Sequence, residues 1–539
     1  MISIKFAFLS TVRMKTTLTI ISLSLSLVLL GQVKTDSNIV WSENHDKLNL
    51  RCELLVDEKG VLTKVFHGND FLRIQKVDEE NNVLMDKTYE FGRIVKGSLE
   101  EFVIKTNNFF ILISKHRNYE REEFVYRHTR INSTSLEIEV HEEKLFSQDF
   151  VRHKNVDKIF YTVSPDESKF FIGHNKLTRK PLSRADYAFT FVGTVYDATA
   201  NKIYSGEVDL EGHKDYVRNV QTLAQITNDG YVFFRHELKK KILQLTPQSS
   251  QIKQCGISEK ILEFNASFHE INNIRVFNGN KNYVCFTYSE DRDRRFQTGI
   301  VICNFSQNGD CNVLTEFRIP KELTQIISNT RYEESRDCIR RTEREEVQLF
   351  NWKVSEFEKL DETFVLFLEY NHRSSSFSPY NMGSVFRDGE LVVFQFNSDF
   401  SDYKYHIIPK LFASGCDLSN CAGLQSTANV AGYSMFNQNS KIMLFFWGNS
   451  NNEIHMIDTP TEERVIHHVP TMYKEKICMY SVEINNEQTR PKFYNMGSYL
   501  SSKYSLLLNH GVLHENYIYF RAHRRSSATG RFKLAKYPF

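Results

Sequence analysis

The sequence predicts an all-β chain folded as a β-propeller of seven four-stranded blades, with six or eight blades as the alternatives. Three observations predict it. A polar turn followed by an aromatic, apolar run recurs along the chain. A second, more polar hairpin falls between successive copies. The composition favours strands, since 42 Phe and 25 Tyr bring aromatics to 13% of 539 residues, and these rings fit a pleated, half-buried surface.

The recurring phrase is plainest in "ITNDGYVFF" (226–234). Asn, Asp and Gly accept the left-handed or side-chain-bonded conformations of a tight turn. The unbroken apolar run after them suits a strand buried on both faces. The other copies are "KTNNFFILI" (105–113), "SPDESKFFIG" (164–173), "FNGNKNYVCF" (277–286), "KLDETFVLF" (359–367), "FNQNSKIMLF" (436–445) and "LNHGVLHENYIYF" (508–520). Their turns fall near Asn107, Asp166, Asp229, Asn280, Asp361, Asn439 and Asn509.

The second hairpin alternates polar and apolar residues, as an outer strand facing solvent does. It is read at 71–91, 124–140, 193–210, 299–320, 391–409 and 479–495. Two hairpins per unit make four strands per unit, the signature of a propeller blade. The 71–91 hairpin and the last inner hairpin, 503–523, are expected to form one blade that closes the ring with N- and C-terminal strands. Closure removes exposed sheet edges. A set of separate β-sandwiches is the competing architecture.

On this reading residues 40–539 are a single propeller domain with loop insertions near 321–350 and 411–432. Both are read as solvated insertions, the first with enough charge and periodicity for a short helix. Residues 1–33 are read as a secretory signal peptide. A positive start at Arg13 and Lys15 precedes an uncharged apolar run over 18–30, too short for a membrane span of about 20 residues. Met14 is an alternative start, and an uncleaved anchor helix is the competing reading.

The nine cysteines are spread widely. Cys416 and Cys421 in "CDLSNC" are close enough to bridge a loop in an oxidising compartment. Cys303 and Cys311 flank a turn, where strand register decides whether the sulfurs meet.

Charge points away from nucleic acid without excluding a local basic patch: 68 Lys and Arg against 66 acids leave +2. No phosphate-binding glycine loop, nucleophile elbow or His-Glu-x-x-His motif is present. His467 and His468 are adjacent, so on a strand they face opposite sides. Glu290, Asp291 and Asp293 lack the glycine and distal glutamate of a calcium loop. No catalytic, cofactor-binding or metal-binding residue is therefore assigned, and no cofactor is expected.

"FEKLDETFVLFLEYN" (357–371), "DGELVVFQFNSDFSDYKYHIIPK" (388–410), "KIMLFFWGNSNN" (441–452) and "GRFKLAKYP" (530–538) follow one another in a pattern that resembles the exported, uncharacterised propeller-like proteins common in Bacteroidetes. The resemblance covers about residues 60–539. It implies a secreted, periplasmic or cell-envelope location. It carries no functional residues, and it lowers the weight of the sequons at Asn132, Asn265 and Asn304.

The expected function is a binding or scaffolding module of the envelope, its partner an envelope or extracellular protein or a glycan, with no transmembrane segment in the mature chain. The ligand is expected on the loop-bearing face or at the central channel. The alternative is a hydrolase acting on glycans or peptides, with paired carboxylates in that channel.

Overall fold

The structure, a computed structural model, describes residues 34–35, 40–44, 51–90 (bar 58 and 68–70), 102–149 (bar 119), 159–179, 188–210, 224–236, 241–247, 253–254, 268–276, 282–289, 296–305, 311–332 (bar 330), 349–410 (bar 351 and 379–380), 412–417, 433–457 (bar 439), 465–466, 477–498 (bar 487–489), 504–524 and 532–539. The signal segment 1–33, His467–His468, Glu290–Asp293 and Cys421 lie outside the described residues.

Turn chemistry starts the strands. In the opening repeat, Gly230 sits at φ +94°, its N–H donates to the Thr227 carbonyl, and the Tyr231 N–H donates to Thr227 Oγ1. That closes the chain between Ala224–Ile226 and Val232–His236, which pair antiparallel. Asp197 does the same without glycine. Its Oδ1 accepts the N–H groups of Thr199 and Asn201 at 2.8 and 2.9 Å, joining Ala188–Asp197 to Lys202–Leu210.

Among the described residues the strands form eight sheets, each built on antiparallel strands that follow one another along the chain, and Lys34–Thr35 adds a parallel edge strand to the seventh beside Lys492–Ser498. The first spans 51–90, the second 102–149, the third 160–210, the fourth 224–254 and the fifth 268–318. The sixth spans 352–408, the seventh 434–498, and the eighth is 504–538 completed by Val40–Trp41, which pairs with Phe532–Pro538.

Among the described residues there are thus eight such sheets, a number that the sequence reading carried as an alternative to seven. The 71–91 hairpin does not join the C-terminal one. It forms the third and fourth strands of a sheet whose first two are Arg51–Val56 and Leu62–His67. That hairpin escapes a hydropathy reading because Lys64 interrupts its second strand. Lys64 is 1% exposed and its ammonium donates to Asn81 Oδ1. A buried cation with a local acceptor looks polar in sequence and is core in the fold. The turn expected near Asn509 is also displaced. Tyr504–His514 continues as a strand with an irregularity between Leu506 and Gly511, and the chain reverses at Glu515–Asn516.

The second strand of each unit explains the unbroken apolar runs. In Thr363–Ser378, Phe364, Leu366 and Leu368 face the fifth sheet, while Val365 and Phe367 face the seventh. Phe110 and Ile111, Phe171 and Phe170, and Phe445 and Phe446 divide between two neighbours in the same way. Successive side chains point to opposite faces, so a sheet clamped between two others needs apolar residues at every position. Each fully buried ring stabilises by about 1.5–3 kcal/mol.

Packing runs in chain order from sheet to sheet, and Tyr519 and Leu534 of the eighth meet Leu54 and Leu62 of the first. First strands neighbour one another where sheets meet, as Phe268–Val276 does with Trp352–Leu360 and Arg51–Val56 with Tyr504–His514. No helix among the described residues is long and apolar enough to cross a membrane.

Candidate functional site

Antiparallel order sorts the connections to two ends. Turns between first and second strands and between third and fourth strands lie at one end, the turn end. The remaining connections, including both insertions, lie at the other, the loop end.

At the turn end, neighbouring sheets are joined by hydrogen bonds between their turns. Thr106 and Arg130 of the second reach the carbonyls of Ala198 and Thr199 in the third. Lys169 of the third donates to the Asn228 carbonyl of the fourth at 2.6 Å. Glu79 of the first accepts from Tyr519 and Lys536 of the eighth.

Where the sixth, seventh and eighth sheets meet at this end, a cavity of about 490 Å³ opens. Its lining is Asp361, Ser440, Lys441, Asn485, Asn486, Asn516 and Phe539. Every wall is a turn or strand end. Asp361 and Ser440 hold φ values of +44° and +61° at the corners of two inner hairpins, a conformation that short polar side chains tolerate best. The Ser440 hydroxyl donates to the Asp361 carboxylate. Asn486 is held by the Leu360 carbonyl at 3.0 Å and by the Thr363 hydroxyl. The Phe539 N–H donates to the Asn516 carbonyl at 2.8 Å.

Lys441 is the cation of the cavity. Its Nζ lies over the Phe539 ring, 4.6 Å from the centroid, and it forms no ion pair among the described residues. Burial pushes its pKa below the ordinary lysine value; Glu483 offsets this and Lys492 adds to it. Lys492 itself is 3.6 Å from Glu483. The lining thus combines one carboxylate, one ammonium, one hydroxyl, three amides and one aromatic ring.

The loop end is built differently. The Lys321–Asn329 helix is not merely solvated, since Leu323 and Ile327 are buried in the core of the fifth and sixth sheets. Phe412–Asp417 is a strand paired with the extended part of Asn381–Phe396, which sets Cys416 opposite Ser384. Lys410 and Glu369 form a buried ion pair at 2.6 Å. Glu453 Oε1 accepts from Tyr480 at 2.8 Å and Asn495 at 2.6 Å.

Cys303 stands opposite Val313 and Cys311 opposite Phe305. That diagonal separates the two α-carbons by about 7–8 Å, beyond the usual reach of a disulfide. Ser114 Oγ lies 2.9 Å from His116 Nε2, and Glu142 lies 3.7 Å from the same nitrogen. A proton relay needs the acid on the other ring nitrogen, so this group does not form one. No cluster of three or more His, Cys, Asp or Glu suited to a metal occurs among the described residues.

Of the cavity residues, Asp361 is legible in sequence as a turn. Ser440, Lys441, Asn485, Asn486 and Asn516 fall within segments read as hairpins, but their meeting carries no signal, because residues from 361 to 539 come together there only through sheet packing.

No protein-family model matches the chain, and no curated protein matches it. Solved structures show a general likeness. The WD40 domain of SCAP from fission yeast is 8% identical with a TM-score of 0.38, over 93% of this chain and 98% of that one. Prolyl oligopeptidase B from Galerina marginata is 10% identical with a TM-score of 0.39, over 91% of this chain and 56% of that one, so this chain spans about half of it. A Bacteroides fragilis protein thought to be exported is 11% identical with a TM-score of 0.24, over 62% of this chain and 86% of that one. At these scores none bears on function.

Proposed function

We propose that this chain is an exported, eight-bladed β-propeller that serves the cell envelope as a binding or scaffolding module, with its ligand seated in the turn-end cavity. Eight sheets that pack in chain order, with the eighth against the first, support the ring. The charged apolar start at 1–33 supports export, and sequencing the mature N-terminus tests it: a chain still beginning at Met1 or Met14 would remove the cleaved signal. The Cys416–Cys421 bridge belongs to the same reading and is tested by the mass change on reduction and alkylation.

The observation that carries the reading is the cavity itself. Its volume falls in the range of about 300–1,000 Å³ typical of small-ligand sites, and its groups converge from three sheets. Its lining side chains include one carboxylate, Asp361, whereas glycoside hydrolysis ordinarily uses two side-chain carboxylates on either side of the scissile bond. Binding is therefore favoured over the hydrolase alternative. Titrating the mature protein with soluble envelope glycan fragments, followed by product analysis, tests this. Saturable binding weakened by Asp361→Ala, with the glycan recovered intact, is expected. Release of new reducing ends by the protein would overturn the non-catalytic assignment.

A further inference from the structure

The cavity's donors and acceptors narrow the ligand, on the reading that this cavity is the ligand site. Asn516 presents both a donor and an acceptor in one amide, whereas the amides of Asn486 and Asn485 are already engaged, the first by Leu360 and Thr363 and the second by Glu483 at 3.2 Å. The duality of Asn516 matches hydroxyl groups, which donate and accept from one oxygen. Asp361 adds an acceptor-only carboxylate that already takes the Ser440 hydroxyl and has lone pairs left for further O–H donors. Asp361 and Asn516 suit a polyhydroxylated ligand. They suit a peptide less well, because Asp361 repels backbone carbonyls and no open strand edge lines the cavity.

Lys441 breaks the neutrality of this set. Its ammonium is partly desolvated, rests on the Phe539 ring and has no ion pair among the described residues. Glu483, the nearest acid to act on it, already faces Lys492. Glu483 lies two residues before Asn485 on the seventh sheet, whose register sets it opposite Met443 rather than Lys441. The positive charge therefore stays available at one side of the cavity, with the Asp361 carboxylate on another hairpin.

We infer that the cavity takes a glycan unit bearing a carboxylate, a uronic-acid type of sugar, with Lys441 pairing its carboxylate while Asp361 and the Asn516 amide take its hydroxyls. Lys441 is then the specificity-determining residue for acidic over neutral sugar. The Phe539 ring offers an apolar face for the C–H side of the sugar, whose approach competes with the ammonium for that ring.

The test compares methyl glucuronide with methyl glucoside, which differ at the carboxylate, against the full mature chain by ligand-observed NMR titration. The uronide is expected to bind at least about 10-fold more tightly, the scale of one charge-assisted hydrogen bond. Lys441→Gln should abolish that preference, and Lys441→Arg should restore part of it. Unchanged melting temperature in both variants separates the effect from misfolding. Equal binding of the two sugars, or a preference that survives Lys441→Gln, would overturn the acidic-sugar inference while the cavity remains a glycan site. Preferential binding of an N-acetyl aspartyl peptide would overturn it by moving the site to peptides. Failure of both sugars and of larger envelope glycans to bind would overturn the inference together with the binding reading beneath it.

Discussion

The two ends of the sheets solve the same problem with different chemistry. Both must satisfy strand ends and join neighbouring sheets. The turn end does so with short polar side chains that cap their own backbone and with carbonyls offered to the next sheet, as Asp197, Thr199 and Arg130 show. The loop end does so with buried charge and inserted elements, as Glu369, Lys410 and the Lys321–Asn329 helix show. Among the described residues, small and partly exposed bonds recur at one end, and buried charged groups stand at the other. The cavity opens at the turn-end junction of the sixth, seventh and eighth sheets.

Breaking the comparison should start at the buried pair. Glu369 and Lys410 are 8% and 2% exposed. Glu369→Ala strands the Lys410 ammonium, and loss of one partner of a buried pair costs about 3–5 kcal/mol. Urea unfolding should show that loss, and Glu369→Leu combined with Lys410→Met should recover most of it. A cost below about 1 kcal/mol for the single change would show that the loop end is no less redundant than the turn end.

Between the ends, His174 is a mid-strand test. It is 6% exposed, its Nδ1 has no hydrogen-bond partner among the described residues, and its ring stacks on Phe146 at 4.4 Å. Burial, with the charge of Lys176, pushes its pKa down to about 4. The folded pKa lies below the unfolded one, so its neutral form is favoured by folding. That contribution is complete above about pH 6.5 and is lost as pH falls towards 4, by about 3 kcal/mol at 1.36 kcal/mol per pKa unit. His174→Phe should flatten the stability profile across that window; an unchanged profile would place the acid sensitivity elsewhere.

The turn end should respond less to any one change. Asp197→Ala removes the acceptor of two backbone N–H groups and of the Thr199 hydroxyl at 2.7 Å, at a cost of about 1–2 kcal/mol. Hydrogen exchange should quicken at Thr199 and Asn201 without global unfolding. Spread of the effect to the second sheet would reveal tighter coupling than the bond pattern indicates.

The smallest effect belongs to Lys536 and Glu79, which join the last sheet to the first with side chains 19% and 56% exposed. Exposed pairs contribute about 0–1 kcal/mol, and the Tyr519 hydroxyl still reaches Glu79 at 2.9 Å. Lys536→Met should therefore shift the urea midpoint little at low salt and not at all at high salt. A larger shift would make this junction the weak point of the assembly.

Legibility in the sequence followed chemistry. Hairpins whose turns carry Asn, Asp or Gly and whose second strands are wholly apolar were readable, from "KTNNFFILI" to "KIMLFFWGN". The hairpin through Lys64 was not, because its buried charge is satisfied by Asn81, a partner on a different hairpin of the same sheet. The turn at Glu515–Asn516 was hidden by the more conspicuous Asn509-His510-Gly511 within a strand irregularity.

By itself the sequence determined the all-β class, the four-strand unit and most strand boundaries, because turn propensity and side-chain alternation are local properties of the chain. Tertiary structure alone decided that the described residues form eight sheets of four or more strands, that Val40–Trp41 completes the last of them, and that Asp361, Lys441, Asn516 and Phe539 share one cavity. Those outcomes depend on which sheet edges and which turns come to lie side by side, and contacts between residues up to about 500 positions apart leave no trace in any local pattern.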